Sequence, residues 1–392
     1  MRLLIGHNYY QQSGGEDFLF KTQTKMLKDF GHEICLYERH NNEIKPDLLA
    51  KLRQSLELRW STRSYDEIRQ LIRSFKPQLV HFHNTFYVTT PSVIYACRDE
   101  GVPVVLSLHN FRLMCVNGLF FRDNKPCEDC LTKGWTQGIV HQCYRHSYFS
   151  SAMAADMVQY HWRRQTWTKH VDQFIVATDF SRQKHIKAGI PADKISVLPH
   201  SVESPASVVD AAQRGGYALY AGRLSEEKGI DFLIKAWEGM TDIPLYVMGT
   251  GPRKEAIEQL IKDRGYTHIK MLGFMKRDEY VDVMSKANFL IVPSLCYDNF
   301  PMVVAEAYSY GVPVVASRLG TLVGCVDEGI NGMLFEANQA EDLRAKCRQL
   351  MGDTTKRASM SAFARQKYEH EFTPAINYQA LTAIYARVVK ER

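Results

Sequence analysis

The sequence predicts an α/β protein of two doubly wound, Rossmann-like domains facing a central cleft. Three observations carry this. Apolar runs of the length of buried strands alternate with amphipathic, helix-length segments along the whole chain. A glycine-containing strand-to-helix turn stands in each half, at residues 9–17 (YYQQSGGED) and 222–229 (GRLSEEKG). Between the halves, residues 203–214 are small, polar and Pro-containing, as an interdomain linker is. With 392 residues, the chain is long enough to bury two cores.

In the first domain, residues 1–202, a short buried strand over 2–7 leads into the 9–17 loop, and residues 18–30 have helical spacing closed by Gly31. Gly14 and Gly15 would let a ligand approach the backbone with no Cβ in the way. After a second strand at 33–37, residues 47–76 read as one or two basic helices, with Arg53, Arg59, Arg63, Arg69 and Arg73 among Trp60, Leu71 and Phe75. That pattern suits a membrane surface, or equally a solvated face over a core stripe. Strands at 79–82 and 102–108 end in His83-Asn84 and His109-Asn110, at the carboxyl ends where open α/β sheets place ligand contacts. Residues 113–147 read as an insertion carrying Cys115, Cys127, Cys130 and Cys143, with His141 and His146 nearby. This spacing admits a structural zinc; scattered reduced thiols are the alternative. Residues 148–170 form a long helix whose basic, aromatic end (HWRRQTWTKH) is a candidate for a membrane interface or for the core. Strand, helix and strand follow at 173–177, 181–189 and 195–198.

The second domain, residues 215–373, opens with a strand at 217–221. Gly222 allows a tight exit, and Arg223 and Lys228 then bring two cations to the start of a helix at 230–237. Like charges there call for an anion such as a phosphate, with salt bridges to Glu226 and Glu227 as the competing explanation. The run 249–252 (GTGP) is no dinucleotide fingerprint, because Lys254 stands where a third Gly would be. A strand at 269–272 ends in Gly273, Phe274 and Met275. The stretch 290–317 (LIVPSLCYDNFPMVVAEAYSYGVPVVAS) reads as strand, loop, helix and strand, with Pro301 opening the helix and Gly311 ending it. Asp298 in the loop and Glu306 in the helix enclose seven residues. Each is either a loop cap or solvated helix residue, or a ligand group; the apolar surroundings of Glu306 favour burial with a partner.

Charge and hydropathy exclude some classes. No apolar run is long enough to span a bilayer, and residues 1–10 lack a signal-peptide pattern, so a cytoplasmic protein is expected. Residues 1–199 carry 26 Lys and Arg against 19 Asp and Glu, a net of +7, whereas residues 200–392 carry 23 against 24. The basic half suits an anionic membrane surface, or equally is a mildly basic domain without consequence; the peripheral location at the inner membrane face comes with the resemblance given below. No nucleic-acid motif accompanies it, and nucleic acid is not expected as a partner.

The pair Asp298 and Glu306, with Gly311-Val312-Pro313-Val314 after it, resembles the acidic signature of the retaining glycosyltransferases of family 4, with the GT-B fold. There a Glu usually stands where this chain has Asp298, a residue of equal charge and one methylene shorter. The resemblance covers most of the chain and is strongest over 217–317. It implies that residues 374–392 form a helix crossing back to the first domain. It implies Arg223 and Lys228 on the donor diphosphate, with Gly222 at their turn, and Glu306 on the ribose. Asp298 and the backbone of Asn299, Phe300, Pro301, Met302 and Val303 would hold the sugar, and Gly273, Phe274 and Met275 would lie beside the base. From the first domain, Gly14, Gly15 (the better match) and His109 would close over the donor. The donor is then a UDP- or GDP-sugar and the acceptor a saccharide or lipid-linked saccharide of cell-surface polysaccharide assembly, with no cofactor required for catalysis. A sugar-nucleotide epimerase of the same fold and a non-catalytic nucleotide-sugar scaffold are the other readings.

Overall fold

In the computed structural model, which describes residues 1–11, 14–43, 57–205 and 207–391, the chain forms two units. Unit 1 comprises Met1–Phe120, Glu128–His200 and Asn377–Arg392, and unit 2 comprises Phe121–Cys127 and Ser201–Ile376. The 203–214 segment, read above as a linker, thus groups with unit 2, as does the hairpin of β5 (Phe121–Arg122) and β6 (Lys125–Pro126) inside the insertion.

Unit 1 is built on β1 (Arg2–Tyr9), β2 (Glu33–His40), β3 (Leu79–Phe82), β4 (Val104–Ser107), β7 (Gln173–Val176) and β8 (Ile195–Val197). They form one parallel sheet in the order β2-β1-β3-β4-β7-β8. Every residue of β3, β4 and β7 is buried, as strands covered by helices on both faces must be. The covering helices are α1 (Gly15–Asp29), α2 (Thr62–Phe75), α3 (Ser92–Asp99), the short α4 (Asp129–Thr132) and α5 (Thr136–Val140) of the insertion, α6 (Tyr148–Arg163), α7 (Thr166–Lys169) and α8 (Asp179–Lys187). Ser61, Ser147 and Thr178 cap α2, α6 and α8 by accepting from the backbone N–H three residues on.

Unit 2 repeats the plan with β9 (Ala218–Ala221), β10 (Leu245–Met248), β11 (Ile269–Gly273), β12 (Phe289–Val292), β13 (Val314–Ser317) and β14 (Gly332–Phe335). The order is β11-β10-β9-β12-β13-β14, again all parallel. Its helices are α9 (Ile230–Trp237), α10 (Lys254–Arg264), α11 (Arg277–Lys286), α12 (Met302–Ser309), α13 (Leu322–Cys325), α14 (Ala340–Gly352) and α15 (Thr354–Glu371). The final helix, α16 (Pro374–Lys390), starts in unit 2 and contributes its residues from Asn377 onward to unit 1. Strand order reverses between β1 and β3 in unit 1 and between β9 and β12 in unit 2, and crevices at the carboxyl ends of such pairs are where open sheets bind ligands.

Some expectations need correction. The aromatic end of the 148–170 segment is core rather than a membrane tip: Trp167 is 1% exposed and His161 fully buried, and Trp162 Nε1 donates to the Leu113 carbonyl. The basic stretch 47–76 falls partly on residues 44–56, which lie outside the described residues; of the rest, Thr62–Phe75 forms α2. Pro301 precedes α12 with ψ at 86°, so the helix proper begins at Met302. Among the described residues no helix is long and apolar enough to cross a membrane.

One glycine ties the two central loops of unit 2 together. Gly229 has φ +72°, and a Cβ there would lie 1.9 Å from the Pro293 carbonyl oxygen at the end of β12. Gly229→Ala is therefore expected to lower unfolding free energy by at least about 2 kcal/mol in urea denaturation. An unchanged midpoint and slope would contradict the close approach.

Candidate active site

In unit 2 the loop after β9 brings Lys228 to Asp298, which follows β12. Lys228 Nζ contacts Asp298 Oδ1, and Ser294 Oγ donates to the other carboxylate oxygen at 2.6 Å. Asp298 is 7% exposed, so its charge requires these partners. Burial works to lower the Lys228 ammonium, but the adjacent Asp298 carboxylate outweighs it and holds the group above its ordinary value. Lys228 thus pairs with an acid 70 residues on, not with the adjacent Glu226 or Glu227 that the sequence offered. Glu227 instead accepts from Ser225 Oγ at 2.6 Å.

Arg223 is exposed on the same loop, and its carbonyl accepts from Tyr220 Oη at 2.7 Å. The GTGP turn buttresses it. A Cβ on Gly249 would lie 1.9 Å from the Gly222 carbonyl oxygen, and one on Gly251 2.4 Å from that of Leu224. These glycines serve packing of the cation loop. Glu306, half-buried on α12, accepts from Tyr280 Oη on α11. Burial pushes its carboxyl up, opposed by the Tyr280 hydrogen bond. At the end of β11, Gly273 has φ +70° and Phe274 is 83% exposed, an open aromatic face for stacking. Met275, Met302 and Val303 pack partly against the core, and Phe300 lies edge-on to Phe372 at 5.8 Å.

In unit 1, Asp17 organises the glycine turn. It is 2% exposed, accepts from the Gly14 N–H at 3.1 Å, and its other oxygen meets His7 Nε2 at 2.8 Å. A Cβ added to Gly14 or Gly15 would meet nothing within 4 Å, so the fold itself does not demand glycine there. His109 Nε2 meets His83 Nδ1 at 3.1 Å, and His7, His81 and His200 lie around this pair in a chain of ring contacts. Burial lowers all five pKa values, His200 to about 4 and His81 to about 3.

Comparison with known proteins decides the family. A family described as Glycosyltransferase Family 4 matches residues 19–204, and one described as Glycosyl transferases group 1 matches residues 208–367. An uncharacterized glycosyltransferase of Methanocaldococcus jannaschii is 33% identical over 367 residues, 92% of this chain and 91% of that protein. The chain belongs to glycosyltransferase family 4. A GDP-mannose-dependent alpha-mannosyltransferase of Corynebacterium glutamicum is 22% identical, covering 92% of this chain and 79% of its own. Among solved structures, Anabaena HepE in complex with UDP and glucose superposes with a TM-score of 0.67 at 16% identity, over 98% of this chain and 99% of that one. Sucrose-phosphate synthase of Thermosynechococcus elongatus gives 0.72 at 16% identity, over 100% of both. These likenesses show the fold, which is GT-B.

In this family 4 glycosyltransferase the insertion carries Cys115, Cys127, Cys130 and Cys143, read above as a candidate zinc centre or as scattered thiols. Cys115 Sγ donates to Asn117 Oδ1 at 3.0 Å, and among the described residues no group of three or more His, Cys, Asp or Glu is placed to hold a metal ion. A closed site needs four ligands in a tetrahedron, and Cys127 and Cys143 do not complete one. Sequence reasoning missed Asp17 and Ser294, whose partners lie within ten residues, and Tyr280, which reaches Glu306 from 26 residues away.

The histidine cluster sets a pH dependence. A ring with a lowered folded pKa contributes stability in full above the unfolded value of 6.5 and loses it as pH falls toward the folded value. The melting temperature is expected to drop as pH is lowered from 6.5 to about 4. A flat profile over that window would contradict neutral, buried rings.

Proposed function

We propose that this glycosyltransferase moves a sugar, with retention of anomeric configuration, from a UDP- or GDP-sugar to a saccharide acceptor, lipid-linked and destined for a cell-surface polysaccharide. The observation that carries the reading is the meeting of Lys228 and Asp298 at the reversal of strand order in unit 2, with Arg223 exposed on the same loop. Charge builds on the leaving diphosphate as the anomeric C–O bond breaks, and preorganised cations stabilise it. Arg223 and Lys228 are those cations. Glu306, oriented by Tyr280, accepts from the ribose hydroxyls, and Phe274 offers its face to the base. Asp298, with the backbone from Asn299 to Val303, holds the sugar.

Retention is what the family resemblance implies; with Asp298 already occupied by Lys228 and Ser294 and so a poor covalent nucleophile, the retaining route is departure and attack on one face. The acceptor's proton then passes to the leaving phosphate. The donor class finds support in relatives: HepE was solved with UDP, and the corynebacterial relative uses GDP-mannose by name. A lipid-linked acceptor at the inner membrane face agrees with the exposed Val140, Tyr148 and Phe149 around Arg145.

Arg223→Ala and Glu306→Ala are each expected to slow transfer at least about tenfold, the loss of one charged hydrogen bond in the transition state, with an unchanged melting temperature. Wild-type rates from both variants would overturn the assignment of the site.

A further inference from the structure

Exposed apolar side chains gather at one turn of unit 1. Val140, the last residue of α5, is 61% exposed, and Tyr148 and Phe149, which open α6, are 59% and 51% exposed. The two helices pack against each other, so both flanks of the connecting turn present apolar groups to solvent. One exposed large side chain needs no explanation, whereas three at one turn mark a contact surface. The two stretches that the sequence offered for a membrane, 47–76 and the HWRRQTWTKH end of 148–170, expose no large apolar side chain among the described residues.

The turn has a fixed shape. His141, Gln142 and Cys143 donate their backbone N–H groups to the carbonyls of Gln137, Ile139 and Gly138. Ser151 Oγ accepts from the Tyr144 N–H at 2.9 Å, and Ser147 caps α6 by accepting from the Ser150 N–H. Between them Gln142, Arg145 and His146 hold φ of +48°, +56° and +50°. Left-handed backbone is unfavourable outside glycine and persists where the surroundings impose it. The apolar groups are thus displayed from an ordered frame, which lowers the entropy cost of docking.

The charge around them has one sign. Residues 130–155 contain no Asp or Glu, yet carry Lys133, His141, Arg145 and His146. The acids that bound this run are each turned to cations: Glu128 to Lys184 and Lys187, Asp129 to Lys133, and Asp156 to Arg59. Arg145 has no carboxylate partner among the described residues, and its guanidinium lies 5.8 Å from the Tyr87 ring centroid and 5.5 Å from that of Tyr144. The N-terminus of α6 adds the positive end of its dipole. Aromatic and aliphatic groups beside a cation, with no acid to desolvate, match a lipid interface whose phosphates lie above its hydrocarbon.

We propose that the turn 140–149 docks unit 1 onto an anionic phospholipid bilayer, with Val140, Tyr148 and Phe149 entering the interface and Arg145 meeting the lipid phosphates. The docking rests on this surface alone; that it serves a lipid-linked acceptor rests on the transfer reading above.

The test is flotation of the full chain with vesicles of phosphatidylcholine alone and of phosphatidylcholine mixed with phosphatidylglycerol. Partition onto the mixed vesicles should exceed that onto the neutral ones by at least about fivefold and fall in high salt. Phe149→Ser and Arg145→Glu should each weaken it by about tenfold or more, while Phe363→Ser, at an exposed phenylalanine of unit 2, should leave it unchanged. Hydrogen–deuterium exchange of the unaltered chain on the mixed vesicles should show protection of residues 140–149, which reads the surface without any variant. Absence of partition onto the mixed vesicles, which would leave the turn to a protein partner, overturns the proposal. Equal partition onto both kinds, partition indifferent to Phe149→Ser and Arg145→Glu, or protection confined to other residues does the same. Neither vesicle holds a glycosyl acceptor, so UDP and GDP titrated into the same sample separate the two readings. Nucleotide binding without partition removes only the docking, and partition without nucleotide binding removes only the transfer reading.

Discussion

The ion pair between Lys228 and Asp298 is the constraint on which the rest of unit 2 depends. Asp298 is almost fully buried while the Lys228 side chain keeps 34% of its surface in contact with solvent. Removing one partner of a fully buried pair costs about 3–5 kcal/mol, and partial exposure of the lysine reduces that figure. The pair forms because the strand order reverses between β9 and β12, which sets the loops after two non-consecutive strands side by side. Gly229 permits the contact, and the Leu295 N–H donates to the Glu227 carbonyl at 2.9 Å across the same seam. Two loops far apart in the chain thereby become one surface bearing a cation, an acid and the exposed Arg223.

Unit 1 solves the corresponding problem without an ion pair of two permanent charges. At its own reversal, between β1 and β3, the carboxyl ends of the strands carry histidines, held neutral by burial. Asp17 links them to the glycine turn by accepting from both His7 and the Gly14 backbone. Unit 1 thus gathers neutral imidazoles at its reversal of strand order, where unit 2 gathers cations and an acid.

Much of this was legible in the sequence because it is local. Strand lengths, the glycine turns and the spacing of Asp298 from Glu306 are set by neighbours in the chain, and they gave the fold class, the cation loop and the acidic helix. Pairings across the sheet were not legible. Lys228 has two glutamates beside it in sequence, yet topology delivers it to Asp298, and Tyr280 reaches Glu306 from another helix. The same holds for His83, whose partner His109 follows an adjacent strand. The aromatic end of α6 and α7 stayed open for a different reason: Trp and Tyr suit a core and an interface equally, and only packing decides between them. Cysteine spacing likewise left zinc and scattered thiols both open, since a C-x-x-C constrains two thiols and says nothing about whether the other two arrive.

The most direct measurement is calorimetric titration of the full chain with UDP, GDP, ADP and their sugar conjugates, with Arg223→Ala in parallel. One nucleotide should bind well ahead of the others and lose most of its affinity in the variant. Equal, weak binding of all three, or binding indifferent to Arg223, would contradict a donor site built on the Lys228–Asp298 surface.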